Sequence, residues 1–291
     1  MHHHIKKKKS NEAKFYAWLA LNRETPFPIK LKVLYACLFE AIIYSSEAWG
    51  DISFFKDELL LIEKKALRSI LCVKSSTPDP IIFTELNRPD IIASIHQRQH
   101  NFFKNFLQLS PNESTTRSIW EIYRVWNEQS PRPYFSYYTS LPSTSLADNI
   151  YEKKSTIIHS NTSMHERYRS LIGMDYCNVL YSSLVNDEHR SIITRWRLSC
   201  HPLFVERRRY CRPKPPRNER KCKVCMVMED ENHALYLCIA HREIRHQHKQ
   251  LLEEYPTVKE MLHPRNTEDI SRIAKYLVVI ESNMDKLKMK R

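Results

Sequence analysis

Apolar residues recur every three or four positions in several stretches of this chain, which is the spacing of one face of an α-helix. Helices are predicted on that basis over 29–46, 54–71 and 91–109. Asp90 precedes the third stretch, and its short carboxylate side chain is typical of an N-cap. The positions expected to face the core are Leu31, Leu34, Leu38, Ile42, Leu59, Ile62, Ala66, Ile70, Ile95, Phe102, Phe106 and Leu109.

The rest of the chain is divided by changes in its composition. A disordered basic tail is expected over 1–13, followed by a helical region over 14–109. Ser, Thr and Pro interrupt the periodicity over 110–162, which predicts an irregular connection. The last region, 163–291, ends in an amphipathic helix with Thr267 as its predicted N-cap. The inward positions of that helix are predicted to be Ile270, Ile273, Ala274, Leu277 and Val278.

Glycine is nearly absent, because Gly50 and Gly173 are the only two among 291 residues. Phosphate-binding loops of the dinucleotide and nucleotide-triphosphate classes need several glycines at fixed positions, so neither loop is present. Tight hairpin turns also favour Gly, which counts against an architecture rich in β-hairpins. The composition therefore predicts a mostly α protein.

Positive charge is concentrated in one part of the chain. The formal net charge is +13, and within 195–225 eleven Lys and Arg side chains are opposed only by Glu206 and Glu219. Such an excess favours polyanionic partners, nucleic acid before anionic membrane. Residues 26–109, by contrast, carry ten basic and nine acidic side chains. The nearly neutral helices over 29–109 are therefore a candidate surface for a protein partner.

Two features bear on the compartment. The longest apolar stretch, 33–44, contains Glu40 and is too short to span a bilayer, so no membrane partner is predicted. The first residues show no apolar run of the kind found in a signal peptide. The eight cysteines are therefore expected in an intracellular compartment, nucleus or cytoplasm, where clustered thiols more often hold metal than form disulfides.

Four metal-ligating side chains are clustered within 222–238. Cys222, Cys225, His233 and Cys238 follow the spacing C-x2-C-x7-H-x4-C, which suits a closed tetrahedral Zn²⁺ site of structural type. A closed site leaves no position for water, so hydrolytic zinc chemistry is disfavoured. Three neighbours are possible substitute ligands, and the remaining isolated cysteines are expected in the core. The substitutes are Cys211, His201 and His241, and the core cysteines are Cys37, Cys72 and Cys177.

Arginines around this cluster are the candidate nucleic-acid contacts. They lie beside Trp196 and Tyr210, whose rings could stack on unpaired bases. The arginines predicted to contact phosphates are Arg195, Arg197, Arg207, Arg208, Arg209, Arg212 and Arg220.

Catalytic motifs are missing from the sequence. No Asp-Asp pair of a two-metal polymerase palm is present, and no Gly-x-Ser-x-Gly nucleophile motif occurs. The chain is therefore predicted not to be an enzyme, with no small-molecule substrate.

Two stretches carry a resemblance to a known family. Residues 43–50 read IYSSEAWG, similar to a Leu-Tyr-Gly-x-Glu-x-Trp segment, with Ser45 where Gly is common. Residues 195–203, 206–210 and 220–238 follow in order a knuckle with its basic flanks, although Gly usually precedes the arginine at the position of Arg208. The chain in this way resembles the C-terminal region of non-LTR (LINE-type) retrotransposon proteins, downstream of the reverse transcriptase palm.

The resemblance implies a thumb-like helical region, an irregular connection and a small zinc-knuckle region with flanking helices. It implies that the chain begins after the palm and endonuclease. The function of the family that is expected of this chain is therefore zinc-stabilised binding of RNA or DNA. Two alternatives remain open: the chain belongs to an RNA-directed DNA polymerase, or it is a helical protein-interaction remnant without independent activity.

Overall fold

The computed structural model describes residues 2–44, 46, 52, 55–108, 121, 125 and 146–289. These residues form fifteen α-helices and contain no β-strand, which confirms the mostly α prediction. None of the described helices is both long and apolar enough to cross a bilayer. The helices are α1 (His2–Leu21), α2 (Phe27–Val33), α3 (Glu40–Ile43), α4 (Lys56–Leu71), α5 (Asp79–Leu86), α6 (Ile91–Gln108), α7 (Leu146–His159), α8 (Ser163–Ile172), α9 (Asn178–Ser182), α10 (Asp187–Arg197), α11 (Phe204–Arg207), α12 (Arg242–Gln247), α13 (Lys249–Glu254), α14 (Val258–Met261) and α15 (Thr267–Met289).

Local side chains explain several helix ends. Asp90 Oδ1 accepts a hydrogen bond from Ala93 N at 2.9 Å, so Asp90 caps α6 as predicted. Asn266 performs this role for α15, accepting from Asp269 N at 2.9 Å, and the prediction of Thr267 as the cap is wrong by one residue. Gly173 ends α8 with φ of 70°, a left-handed conformation that suits glycine.

The helix predicted over 29–46 is segmented. It begins at Phe27, where Pro28 fits the first turn, and a π-helical turn over Leu34–Phe39 joins α2 to α3. The interior stripe of α6 also differs from the prediction: it continues from Ile95 to Gln99, whose amide donates to Ser46 O at 3.0 Å. Phe102 is consequently exposed. Phe106 and Leu109 lie outside the residues whose side chains are described.

The described parts of two segments expected to lack regular structure contain helices. Residues 2–13 belong to α1, because lysine and alanine favour helix and Phe15 anchors the same helix in the core. Within 110–162, α7 packs on α5 and buries Ile157. Most of 109–145 lies outside the described residues.

Three further side chains are more exposed than predicted. Val278 lies on the solvent side of α15, whose buried face passes through Leu277 and Ile280. Cys37 and Cys72 are exposed, and Cys72 occupies the left-handed C-cap of α4. Cys177 is buried, as expected.

One hydrophobic core joins the regions before and after the gap in the described residues. α10 packs against α15, and buried ion pairs connect α10 to the N-terminal helices. Asp187 accepts from Lys30 Nζ and from Arg190 Nε, both at 2.6 Å, and Arg190 also donates to the Ile70 carbonyl. Because the core and these ion pairs include residues of both regions, the described parts of 14–109 and 163–291 form one packed unit.

Candidate metal centre and basic surface

The first two candidate ligands lie in a tight turn. Cys222 N donates to Val227 O at 2.7 Å, and Met226 N donates to Cys222 O at 2.9 Å. Met226 adopts φ of 58°, which turns the chain back immediately after Cys225. An isolated antiparallel bridge between Lys221 and Met228 closes the base of this turn. The turn places the Cys222 and Cys225 sulfur atoms on the same side.

The other two candidate ligands bracket a π-helical turn over His233–Leu237. Asp230 Oδ1 accepts from His233 N at 2.8 Å and fixes the start of this turn. Cys238 N donates to His233 O at 2.7 Å, which brings the two side chains to the same end. The x4 spacing read from the sequence is thus realised as one helical turn.

The four donor atoms lie within 4.8 Å of one another. Cys238 Sγ is 3.7 Å from Cys222 Sγ and 3.8 Å from Cys225 Sγ. A tetrahedral ion with metal–sulfur bonds of about 2.3 Å requires sulfur–sulfur separations of roughly 3.8 Å. His233 Nε2 is buried and has no hydrogen-bond partner among the residues that the structure describes. This donor set therefore fits a four-coordinate metal ion.

The protonation states of these side chains depend on their burial. Burial is the largest of the effects that raise the pKa of Cys238 to about 12, and the neighbouring Cys222 thiol adds to it. Burial lowers the pKa of His233, which favours the neutral imidazole that a metal needs. A divalent cation between the sulfur atoms would favour their thiolate forms by direct coordination.

The three substitute ligands lie outside the cluster of four donors. His241 Nδ1 donates to the Ala234 carbonyl at 2.9 Å, which orients this ring as a neighbour of the cluster. His201 is fully buried and its Nε2 is 2.7 Å from Glu231 Oε1. Cys211 is exposed.

Hydrogen bonds from α12 and α15 hold the second half of the centre. Arg245 donates to the Cys238 carbonyl at 2.6 Å, and Asn283 donates to the Ala240 carbonyl at 3.0 Å. The buried Tyr276 hydroxyl donates to the Leu235 carbonyl at 2.5 Å. The backbone around Cys238 is therefore fixed by the C-terminal helices as well as by its own turn.

The acidic residues of the loop between the ligands bind elements of the protein itself. Glu229 Oε2 accepts from Phe204 N at 2.6 Å, and Glu231 pairs with the buried Arg167 as well as with His201. These contacts fix α11 against the metal-bearing segment. Both carboxylates are buried, so they offset little of the positive charge at the protein surface.

Two of the seven arginines predicted to contact phosphates are buried, which corrects their assignment. Arg197 forms an ion pair with the fully buried Glu85 of α5 and donates to the Leu262 carbonyl at 2.7 Å. Burial alone would raise the pKa of Glu85, but the Arg197 charge and two tyrosine hydroxyls outweigh it and lower that pKa. Arg220 is also buried, and it donates to Val205 O and Pro215 O.

Two more of the seven are paired within the fold. Arg195 lies 3.3 Å from Glu281, and Arg209 lies 3.0 Å from the buried Glu206. Trp196, predicted to stack on bases, is fully buried and its indole N–H donates to Glu281 at 2.9 Å. The Tyr210 side chain lies outside the described part of the chain.

The remaining three, Arg207, Arg208 and Arg212, are exposed and form no ion pair with the described residues. Four further exposed cations, which contribute to the net charge but were not among the predicted phosphate contacts, extend this surface. Together these seven residues form what we call the basic surface: Arg207, Arg208, Arg212, Lys214, Arg217, Lys221 and Lys223. Composition indicated the surplus of positive charge, whereas the fold determines which cations reach solvent.

Comparisons of this chain with protein-family models, with curated proteins and with solved structures find no match.

Proposed function

We propose that Cys222, Cys225, His233 and Cys238 bind Zn²⁺ and that the zinc-stabilised segment presents the basic surface to RNA or DNA. The observation that carries this proposal is that the four converging donors and the exposed cations occupy one continuous segment, 207–238. Lys221 and Lys223 directly flank the first ligand, so the metal and the cations are structurally linked.

The donor chemistry supports zinc as the metal. Three sulfur donors and one imidazole nitrogen in a tetrahedral arrangement form a typical structural zinc site. Such a site supplies folding free energy to a short segment that has little core of its own. Because all four coordination positions are filled by the protein, zinc supplies shape here rather than an activated water.

Arg220 links the metal centre to the cations that follow α11. Its buried guanidinium bonds to carbonyls at Val205 and Pro215, on either side of most of the basic surface. The Glu229 amide also donates to the Arg220 carbonyl at 3.0 Å. Zinc binding would therefore fix the backbone positions of Arg207 to Arg217 indirectly, and loss of zinc would loosen them.

The test uses the full chain, since its two regions share one core. Zinc content would be measured together with affinity for structured RNA and duplex DNA at several salt concentrations. We expect one zinc per chain and an affinity that falls steeply with salt, since phosphate contacts release counterions. Chelation, or the double change Cys222→Ser/Cys225→Ser, should remove the metal and weaken binding.

Cys37→Ser/Cys72→Ser is the matched control, because both of these thiols are exposed and lie far along the chain from the cluster. This control should keep its zinc and its affinity. A metal-free protein that binds nucleic acid with the same affinity and salt dependence would contradict the role of zinc. Failure to bind either polymer would contradict the function itself.

The absence of enzymatic activity and a protein partner for residues 29–109 stay predictions of the sequence, and polymerase activity stays the alternative to the first. A primer-extension assay on the purified chain would decide the first. Self-association or partner binding that persists at high salt would support the second, because the helices over 29–109 carry almost no net charge.

A further inference from the structure

The metal-bearing segment exposes an unusual amount of apolar surface. Five side chains, which we call the knuckle tip, are each between 46% and 69% exposed: Val224, Met226, Val227, Leu237 and Ile239. They come from both halves of the candidate metal centre. Nothing in the proposed binding of phosphates by cations uses them.

The two backbone segments that carry the knuckle tip lie against each other at the candidate metal centre. Ile239 N donates to Cys225 Sγ at 3.3 Å, which brings the second half of the centre against the first turn. Cys222 N bonds to Val227 O across that turn. Each residue of the knuckle tip lies within two positions of Cys225 or next to Cys238 along the chain, and the sulfur atoms of these two cysteines are 3.8 Å apart. A contiguous exposed apolar patch bordered by polar residues is typical of a binding surface.

Cations border the knuckle tip and connect it to the basic surface. Lys221 and Lys223 come just before Val224, the first residue of the knuckle tip, and both lysines are exposed. Lys223 Nζ lies 5.6 Å and Arg208 Cζ 5.0 Å from the centroid of the Phe204 ring. The two cations are thus separated by no more than the sum of those distances. A ligand bound to the knuckle tip would therefore lie next to positively charged side chains.

We propose that the knuckle tip packs against unpaired bases of a single-stranded nucleic acid, whose phosphates contact the bordering cations. This inference rests on the proposed nucleic-acid binding and specifies its substrate. A duplex presents phosphates and groove edges, which offer an apolar patch little to bury. Unpaired bases present flat faces that pack on apolar and aromatic side chains, and their backbone complements the bordering charge.

The first test compares three ligands with the unmodified full chain by fluorescence anisotropy at one salt concentration. The ligands are an oligothymidine strand, an abasic strand of equal length and charge, and a duplex of that length. We expect the oligothymidine to bind at least about tenfold more tightly than the abasic strand, because base packing is lost only in the latter. Equal affinities would overturn the inference.

The second test changes the patch itself. The tip variant Val224→Thr/Met226→Gln/Ile239→Thr should lose the preference for oligothymidine while keeping its affinity for the abasic strand. Leu61→Gln/Leu184→Gln, at exposed apolar positions on α4 and after α9, is the control and should keep the preference. Retention of the preference in the tip variant would overturn the inference.

Zinc content separates a surface effect from loss of the metal. Where the tip variant retains less zinc than the unmodified chain, Ile239→Thr alone repeats the test outside the Cys222–Cys225 turn. Absence of binding to all three ligands would contradict the proposed function as a whole. Equal, salt-dependent binding to all three would contradict only the role of the knuckle tip.

Discussion

Two sets of arginines in the same part of the chain have opposite surroundings. Arg167, Arg190 and Arg197, on α8 and α10, are buried, and each is paired with at least one carboxylate. Arg207, Arg208 and Arg212 come after this set in the chain, yet they are exposed and form no ion pair with the described residues. The first set holds helices together, and the second set is available to an anionic partner.

The difference shows how a positive segment should be interpreted. A buried arginine requires a partner, because removing its charge from water is costly. Its charge is therefore matched inside the protein and contributes little to the field outside. Exposed cations without carboxylate partners produce the positive potential that attracts a polyanion. Substitutions can distinguish these two roles, and loss of a buried arginine should have the largest effect.

Replacing Arg197 by methionine should destabilise the fold by about 3–5 kcal/mol, since Glu85 would be left as an uncompensated buried charge. Unfolding by urea, followed by circular dichroism, measures this change. The salt dependence of nucleic-acid binding should stay the same, because Arg197 does not reach solvent.

The double variant Arg197→Met/Glu85→Gln is the control for charge burial. It removes the carboxylate as well, so its stability should equal or exceed that of Arg197→Met. A double variant that loses the sum of the two single effects would show that the pair is not coupled. A reduced salt slope in Arg197→Met would place this arginine in the binding surface after all.

Glu63 tests the same principle for a buried acid that pairs with no arginine of the described residues. Burial raises the pKa of Glu63 to about 8, whereas the pKa of Glu85 beside Arg197 is lowered. A raised pKa means that the native state holds a proton that the unfolded chain releases above about pH 4.5. The stability contributed by neutral Glu63 is then lost as pH rises from there towards about 8.

Between about pH 5.5 and 7.5 this single group should lower the free energy of unfolding by roughly 2–3 kcal/mol. Glu63→Gln keeps an oxygen that can accept from Ile91 N, as Glu63 Oε2 does at 2.8 Å, but it cannot ionise. Its urea midpoint should therefore fall less over this range. Asp90, Lys64 and Lys153 act on Glu63 in the folded chain and are present in both proteins. Identical pH profiles for the two proteins would contradict the shift.

The number of residues that separate two interacting side chains along the chain explains which features were predictable from the sequence. The metal cluster is local, so the spacing of Cys222 and Cys225 was sufficient to propose them as ligands. The N-cap at Asp90 was predictable because its acceptor role involves only the next turn. Arg197 lies 112 residues from Glu85 along the chain, and no local pattern indicates that they meet. A count of arginines therefore overestimated the exposed set.

Substitution of the three exposed arginines should have the smallest effect on stability and should change the salt dependence of nucleic-acid binding. Arg207→Gln/Arg208→Gln/Arg212→Gln should change the free energy of unfolding by less than about 0.5 kcal/mol for each substitution, as is usual for surface positions. The logarithm of affinity plotted against the logarithm of salt concentration should become shallower by about 0.7 to 0.9 for each phosphate contact that is lost. Glu243→Gln/Glu253→Gln, at exposed acidic positions on α12 and α13, is the charge-changing control and should not make the slope shallower. A triple variant with an unchanged slope would show that these exposed arginines do not contact phosphates, and the positive potential would then have to act through the lysines that flank the metal centre.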